Sequence, residues 1–225
     1  DVIISAANGE VTGVGAGAAK LTAVTGKINV TGGTLARLGD VDSKLDLKVA
    51  ADTISVNKAI VGGNLTLDAD AGNVILGTGT VTGSSTIKTT GAGASAGDVT
   101  IGTTLSSGGA TTINSTRDAA LASTTTGPIT VTAVGATTAA LLKSNAAITA
   151  TSGSMNLTNV DTGSALSLTS NNGALTVATG KSGTTSELKT VAAGGTDVSV
   201  TTSLTSGQGT TITSRGNARL ASVTA

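Results

Sequence analysis

The chain alternates apolar and polar residues in short runs, and the apolar–polar–apolar triplet is its basic unit. A period of two over three to five residues is typical of a β-strand with one buried face. Gly-Gly, Asn-Gly, Ser-Gly and Ala-Gly pairs separate the triplets and predict turns. No segment has an apolar stripe at helical spacing, so we expect an all-β chain without substantial helix. The clearest triplets are Leu45–Leu47, Leu65–Leu67, Val99–Ile101, Ile129–Val131, Leu166–Leu168, Leu175–Val177 and Val198–Val200.

Aliphatic positions recur about every 20 residues, and a second apolar set lies halfway between them. A unit of this size, with two or three short strands, fits one coil of a parallel β-helix, in which like positions form apolar ladders. We therefore predict one β-solenoid of roughly 11 coils, on the order of 50 Å long at about 4.8 Å per coil. The expected ladders are Leu47, Leu67 and Ile87; Ile101, Leu121 and Leu141; Ile148, Leu168 and Leu188; and Val200 with Leu220. The second set is Leu76, Ile113, Val131, Leu157, Val177 and Ile212.

Parts of the chain repeat at a distance of about 100 residues. The strongest match joins residues 98–126 to residues 197–225, at an offset of 99 with 15 identities in 29 positions. We infer that a block of five coils was duplicated, from about 25–126 to about 126–225, within a single domain that spans residues 1–225. Two further matches lie at an offset of 101 and join residues 25–31 to 126–132 and residues 64–79 to 165–180.

The composition removes several classes of chemistry. The chain has no His, Cys or aromatic residue, so the usual ligands of zinc, copper and haem are missing, as are the residues of Ser-His-Asp and Cys-His catalysis. The 13 basic and 13 acidic residues balance, which gives no general attraction to nucleic acid or to an anionic membrane. We therefore expect no catalytic, cofactor-binding or metal-binding residues, no nucleic-acid partner and no membrane insertion.

A cluster of acidic residues raises two candidate sites. Asp68, Asp70 and Asn73 lie in DADAGN, which resembles part of a calcium loop but lacks the third oxygen ligand and the final Glu of an EF-hand. Asp46 and Asp68 are separated by about one coil length, so adjacent coils could bring them together as a glycosidase pair. We expect a solvated corner, and a polysaccharide-active β-helix enzyme is the alternative function. The cluster consists of Asp40, Asp42, Asp46, Asp52, Asp68 and Asp70.

Three other motifs suggest functions more weakly. Thr-x-Thr occurs at residues 78–80, 124–126 and 130–132, and flat threonine ladders can bind ice, but these segments do not recur at a step of 20. An ice-binding solenoid is therefore the less favoured alternative. Gly-Ala-Gly at residues 15–17 and 91–93 lacks the Lys and the helix of a phosphate loop and predicts turns. Four glycosylation sequons, about as many as chance gives, begin at Asn29, Asn64, Asn114 and Asn156.

The repeat style of nearly the whole chain resembles a known family. The phrases GGNLTLDADAGNVIL (62–76), SGSMNLTNVDTGSALSLTSNNG (152–173) and NNGALTVATG (171–180) resemble the shaft of filamentous haemagglutinin-like exoproteins. These are large adhesins and contact-dependent inhibition proteins, which are exported by two-partner secretion. The resemblance implies a right-handed parallel β-helix on the bacterial cell surface.

The resemblance extends to the shaft alone, because the chain lacks the Asn-Pro-Asn-type motifs of the family's secretion domain and has no toxin segment. It implies an extracellular structural or adhesive shaft segment that presents or extends binding or toxin modules. The expected partners are flanking coils of the same polypeptide or end-to-end copies, and a host or neighbouring-cell surface.

The two ends of the chain carry no polar cap, and residues 1–10 lack the pattern of a signal peptide. The chain therefore reads as a slice of a longer shaft. We expect terminal coils that fray or contact other copies, and a rigid middle over about residues 40–200.

Overall fold

A computed structural model describes residues 1–12, 20–193 and 196–225, and it consists of two parallel sheets. Each strand inside a sheet pairs with the equivalent strands of the coils before and after it. The fold is therefore an all-β parallel solenoid, as the triplets predict, and it has about ten turns where we expected roughly 11. Its right-handed sense stays a prediction. Within the described residues, the one helical element is the 3-10 turn Gly93–Ser95.

The strands alternate between the two sheets along the chain. Sheet 1 has 11 strands: β1 (Val2–Ala6), β4 (Ile28–Gly32), β6 (Leu47–Ala51), β8 (Leu65–Ala69), β10 (Ser85–Thr89), β12 (Thr111–Ser115), β14 (Ile129–Ala133), β16 (Ile148–Ser152), β18 (Leu166–Ser170), β20 (Thr185–Thr190) and β22 (Gly209–Thr213). Sheet 2 has 13 strands: β2 (Glu10–Thr12), β3 (Leu21–Ala23), β5 (Leu35–Ser43), β7 (Thr53–Val61), β9 (Val74–Val81), β11 (Val99–Ser107), β13 (Ala119–Thr126), β15 (Ala136–Ser144), β17 (Ser154–Thr162), β19 (Leu175–Ser182), β21 (Val198–Ser206), β23 (Ala218–Leu220) and β24 (Val223–Thr224).

The long strands of sheet 2 bend in the middle. In β7, Val56 and Ala59 are buried, while the two residues between them, Asn57 and Lys58, are both exposed. Alternation in a straight strand would bury one of those two, so this pair marks a corner. Each complete coil therefore has three straight segments, one in sheet 1 and two in sheet 2.

The core is a set of aliphatic columns that run along the solenoid axis. Beyond the partly exposed Ile4 of the first strand, the central inward column of sheet 1 runs through ten coils without a polar residue, and only its last member is partly exposed. Leu, Ile and Val fill the narrow interior in well-defined rotamers, which suits the regular pleat. The column consists of Val30, Val49, Leu67, Ile87, Ile113, Val131, Ala150, Leu168, Leu188 and Ile212.

Hydroxyl groups complete the interior at the ends of strands. Ser43 Oγ donates to the carbonyl oxygen of Asp46 at 2.9 Å, and Ser115 Oγ shares its one proton between the carbonyl oxygens of Gly97 and Asp118, at 2.9 and 2.7 Å. Buried backbone oxygens need such partners where the chain leaves the sheet. The many Ser and Thr residues therefore include a structural set inside the solenoid.

Coil length varies, and this corrects part of the expected ladders. Leu47 aligns with Leu65 and not with Leu67, because this coil is shorter than the expected step. For the same reason Leu121 aligns with Ala139 and not with Leu141, and Ile148 aligns with Leu166 and not with Leu168. The coil from Ser85 to Thr111 is longer than expected. The pairs Leu67–Ile87, Ile101–Leu121, Leu168–Leu188 and Val200–Leu220 are confirmed.

The second apolar set does not form a single column, because its members belong to both sheets. Ile113, Val131 and Ile212 are central inward residues of sheet 1. The other three members, Leu76, Leu157 and Val177, lie in sheet 2. Leu45, which we placed in a triplet, is not an inward residue either, since it is 45% exposed and precedes β6.

The spacing between the starts of successive sheet 1 strands occurs twice along the chain. The first inward residues of successive sheet 1 strands are Ile28, Leu47, Leu65, Ser85 and Thr111. A second series consists of Ile129, Ile148, Leu166, Ser186 and Thr210. The first four members of the two series are related by an offset of 101, the offset of the sequence matches at residues 25–31 and 64–79. The fifth members are related by an offset of 99, that of the match at residues 98–126.

The corner that leads from sheet 2 into sheet 1 keeps a nearly constant length, and we call it the glycine corner. It holds residues 62–64 between the inward residues Val61 and Leu65, and residues 183–185 between Ser182 and Ser186. Glycine follows the sheet 2 strand in most coils, and a Cβ atom there would collide with a carbonyl oxygen of the preceding coil. The glycines in question are Gly62, Gly108, Gly127, Gly163, Gly183 and Gly207.

The substitution Gly183→Ala tests this close approach. The added methyl group would overlap the carbonyl oxygen of Gly163, so the backbone must shift and we expect destabilisation by about 1–3 kcal/mol. Gly39→Ala is the matched control, because nothing lies within 4 Å of its added Cβ. Urea unfolding followed by circular dichroism measures both, and equal midpoints for the two variants would contradict the close-contact explanation.

Candidate functional site

Asp and Asn side chains form a column where the chain leaves sheet 1 and enters sheet 2, and we call this the Asx column. Asn73 Oδ1 accepts the backbone N–H of Asp98 at 2.8 Å, and Asp98 Oδ1 accepts that of Asp118 at 3.1 Å. Asp118 Oδ1 in turn accepts the N–H of Ala136 at 2.6 Å. Each side chain thus supplies an acceptor to the coil that follows, which holds successive corners together.

A similar arrangement occurs at the glycine corner. Asp46 Oδ1 accepts the backbone N–H of Asn64 at 2.9 Å, and Asn64 Oδ1 accepts that of Ser84 at the same distance. The N–H of Asn64 and the ammonium group of Lys27, 3.2 Å away, lower the pKa of the Asp46 carboxyl. Asp46 therefore serves the stacking of coils.

The ion pairs of the described residues also join neighbouring coils. In each pair, the two members lie about one coil apart in the sequence. Most are largely exposed, so each contributes little alone. The pairs are Lys20–Asp42, Lys27–Asp46, Lys88–Asp68, Arg117–Asp98, Lys143–Asp161 and Arg219–Asp197.

The closest of these pairs is Asp98 with Arg117. The guanidinium Nε and Nη2 donate to the two carboxylate oxygens, which is the bidentate geometry that Arg favours. Hydrogen bonding to Arg117 lowers the pKa of Asp98, with a further contribution from the N–H of Asp118. Asp98 thus belongs both to the Asx column and to an ion pair.

We expected the acidic cluster to form one solvated corner. Its members lie instead at several separate positions. Asp40 accepts from Asn57 Nδ2 at 3.0 Å, and Asp42 lies 2.7 Å from the Lys20 ammonium group. Asp70 lies after β8 and accepts from the Thr90 hydroxyl at 3.3 Å. In the described part of the chain, no three acidic residues lie together as a potential metal site.

The structure also separates the two candidate glycosidase carboxylates. Asp46 precedes β6 and bonds to Asn64, whereas Asp68 lies within β8, in register with Ala50. Residues 64 and 68 are roughly 13 Å apart along an extended strand, beyond the about 5–9.5 Å that glycoside hydrolases use. Asp68 instead pairs with Lys88, whose ammonium nitrogen is 2.8 Å from its Oδ2.

A shallow groove of about 390 Å³ crosses four coils on the first straight segment of sheet 2. Small side chains such as Ala120, Ala122 and Ala140 form its floor, and Thr138 and Asn156 contribute polar groups. No charged residue lines the groove, so it contains neither a general acid nor a general base.

The outer face of sheet 1 carries a regular set of hydroxyl groups that our sequence argument missed. The threonines at 130–132 do recur, because the coils that follow them are slightly shorter than the step we expected. Thr130 and Thr132 therefore do belong to an array on one face, contrary to what a step of 20 predicts. We call the set the hydroxyl array, and its members are Thr130, Thr132, Thr149, Thr151, Ser167 and Thr169.

The other Thr-x-Thr segments do not form such a surface. Thr124 is fully buried and Thr126 is 6% exposed, so both point into the solenoid. Thr78 lies at the bend of β9, and only Thr80 follows on the next straight segment. The recurrence of ITVT, ITAT and LSLT at β14, β16 and β18 was the sequence signal that could have revealed the array.

The remaining sequence candidates have mixed positions. The four sequon asparagines are exposed, although the side chain of Asn64 is occupied by its hydrogen bonds to the adjacent coils. Gly-Ala-Gly at 91–93 leads into the 3-10 turn Gly93–Ser95. The same motif at 15–17 lies within residues 13–19, outside the described residues.

Comparisons of the chain with protein-family models, with curated proteins and with solved structures find no match. Among the described residues, no helix has the length and apolar character needed to cross a membrane.

The substitution Asp98→Ala tests the contribution of the Asx column. It removes the acceptor of the Asp118 N–H and the partner of Arg117, and we expect a loss of about 1 kcal/mol or more in the free energy of unfolding. Asp161→Ala is the control, because that carboxylate lies 4.0 Å from the Lys143 ammonium group and has no closer ion pair among the described residues. Similar unfolding midpoints for the two variants would show that the column does not stabilise the stack.

The pH dependence of stability follows from Asp46 and Asp98. Both carboxyl groups have a pKa below the ordinary value of 3.8, so the folded state binds protons less readily than the unfolded chain. Their contribution is present above pH 3.8 and is lost as the pH falls through the lower folded pKa. We expect an unfolding temperature that is steady from about pH 7 to 5 and falls below about pH 4. The Asp98→Asn variant should show a smaller fall, and an equal fall would contradict the assignment to Asp98.

Proposed function

We propose that this chain is a structural and adhesive shaft segment of a large secreted bacterial surface filament, and that it presents or extends binding or toxin modules. The solenoid fold is compatible with a structural repeat shaft. The resemblance to filamentous haemagglutinin-like exoproteins supports the finer proposal, which includes two-partner secretion and a place on the outer surface of the bacterial cell.

One observation supports the shaft most strongly: the charged side chains are spread along the solenoid as bonds between successive coils. Asp98 and Arg117 join two coils of the middle, and Lys27 with Asp46 joins two coils near the start. An enzyme would be expected to concentrate charged side chains in one groove. The groove on sheet 2 is lined by no charged side chain. We therefore propose no catalytic role.

The proposed partners are flanking coils of the same polypeptide or end-to-end copies, and the surface of a host or neighbouring cell. The ion pairs and Asx hydrogen bonds that join successive coils support the first, because they stabilise the stacking of one coil on the next. We propose no contact with nucleic acid and no insertion into a membrane, in keeping with the balanced charge.

Removal of a whole coil tests the shaft proposal. Deletion of residues 65–84 takes out the coil that begins at Leu65 and joins Asn64 to Ser85, which lies in register with Leu65. Because each coil contacts only its neighbours, we expect a folded protein shorter by about 4.8 Å, measured by small-angle X-ray scattering and circular dichroism.

Deletion of residues 65–74 is the control for this experiment. It removes fewer residues, but it joins Asn64, which precedes a strand of sheet 1, to Ile75 within β9 of sheet 2. The register of the following coils is then lost, so we expect this smaller deletion to destabilise the protein more than removal of the whole coil. The reverse order of stability would contradict the modular shaft.

Two further measurements separate a shaft from its rivals. The purified chain should release no reducing sugar from a panel of acidic and neutral polysaccharides, and turnover of any of them would contradict the proposal.

Fluorescently labelled chain should bind intact epithelial or bacterial cells above the level of an inert protein of equal size. Equal binding would remove the adhesive part of the proposal and leave the shaft.

A further inference from the structure

The hydroxyl array lies on three neighbouring strands that pair without a register shift. Thr130, Thr149 and Ser167 are directly in register across β14, β16 and β18, and so are Thr132, Thr151 and Thr169. Neighbouring members are therefore about 4.8 Å apart across strands and about 6.6 Å apart along a strand. The result is a two-column lattice of hydroxyl groups on one face.

The lattice has no charged side chain, although charges lie on both sides of it. The outward residues of β12, Thr112 and Asn114, extend the uncharged face by one more strand. Beyond that, Lys88 of β10 pairs with Asp68, and at the other side β20 presents Glu187 and Lys189. A face without charge between charged borders matches a partner without net charge.

The hydroxyl groups of the array are free for an external partner. Within the part of the chain that the structure describes, none of the six side chains makes a hydrogen bond to the protein. Five of the six are threonine, whose χ1 rotation is restricted in a strand, so hydroxyl and methyl groups are held at fixed positions. A partner that binds there meets groups that lose little conformational freedom.

We infer that the hydroxyl array orders water into a lattice and through it binds the surface of ice, an activity beyond the proposed shaft. The hydroxyl groups can each donate and accept a hydrogen bond, so water molecules bound in adjacent positions can bond to one another. The methyl groups between them leave no competing polar site. An ice surface is likewise an uncharged and periodic set of donors and acceptors.

Ice-affinity partition tests this inference. Ice is grown slowly from a dilute solution of the purified chain, and the protein fraction inside the ice is compared with that of an inert protein of equal size. We expect enrichment of the chain in ice and slower recrystallisation of fine-grained ice. Thr149→Lys places a charged side chain at the centre of the array and should reduce both effects to the level of the inert protein.

Thr125→Lys is the matched control, because Thr125 is an exposed threonine of β13 in sheet 2, on a different face. It should keep the wild-type behaviour, while the unfolding temperatures of both variants show that each is folded. Exclusion of the wild-type chain from ice would overturn the inference, as would an equal loss in Thr125→Lys. Sedimentation that shows a dimer abolished by Thr149→Lys, without enrichment in ice, would also overturn it and assign the face to a second copy.

Discussion

The structure depends on one constraint: each strand must supply and receive its backbone hydrogen bonds from the coils directly before and after it. Parallel pairing in register then fixes a rise of about 4.8 Å per coil and places equivalent residues in columns. The aliphatic column from Val30 to Ile212 follows from this, as do the Asx column and the hydroxyl array. The burial and contacts of a residue therefore depend more on the column in which it lies than on its neighbours in sequence.

Polar residues have separate tasks in this arrangement according to their place in the coil. Inward serines such as Ser115 bond to corner carbonyl groups, while Asn73 and Asp98 secure the N–H groups of the following coil. Outward threonines of sheet 1 have no such task. A composition with 44 Thr, 23 Ser and 32 Gly residues thus divides into structural and surface sets that composition alone cannot distinguish.

The period-two triplets were enough to predict the fold class, because alternation directly reports one buried face per strand. They could not give the exact register, since coil length depends on how many residues a corner holds. Leu47 and Leu67 lie at the expected step and both are buried, yet they belong to different columns. Because coil length was uncertain, the hydroxyl array was not predicted: its coils are shorter than the expected step of 20 residues. For the same reason Asp46 and Asp68 were expected to lie closer together than they do. Ion-pair partners were likewise unpredictable until the register was known.

The unequal corners have a consequence for how such a chain can change. The glycine corner holds residues 62–64 between Val61 and Leu65, whereas the corner from sheet 1 to sheet 2 holds residues 52–53 in one coil and residues 90–98 in another. In the coils from Leu35 onward, the long insertions are therefore found along one edge, and two long connections, after Thr89 and Thr190, lie five coils apart on it. Longer connections can be inserted at this edge at intervals of whole coils, roughly 24 Å for five coils, while the glycine corner at the opposite edge keeps the register. The solenoid thus sets the longer connections at fixed distances from one another along its axis.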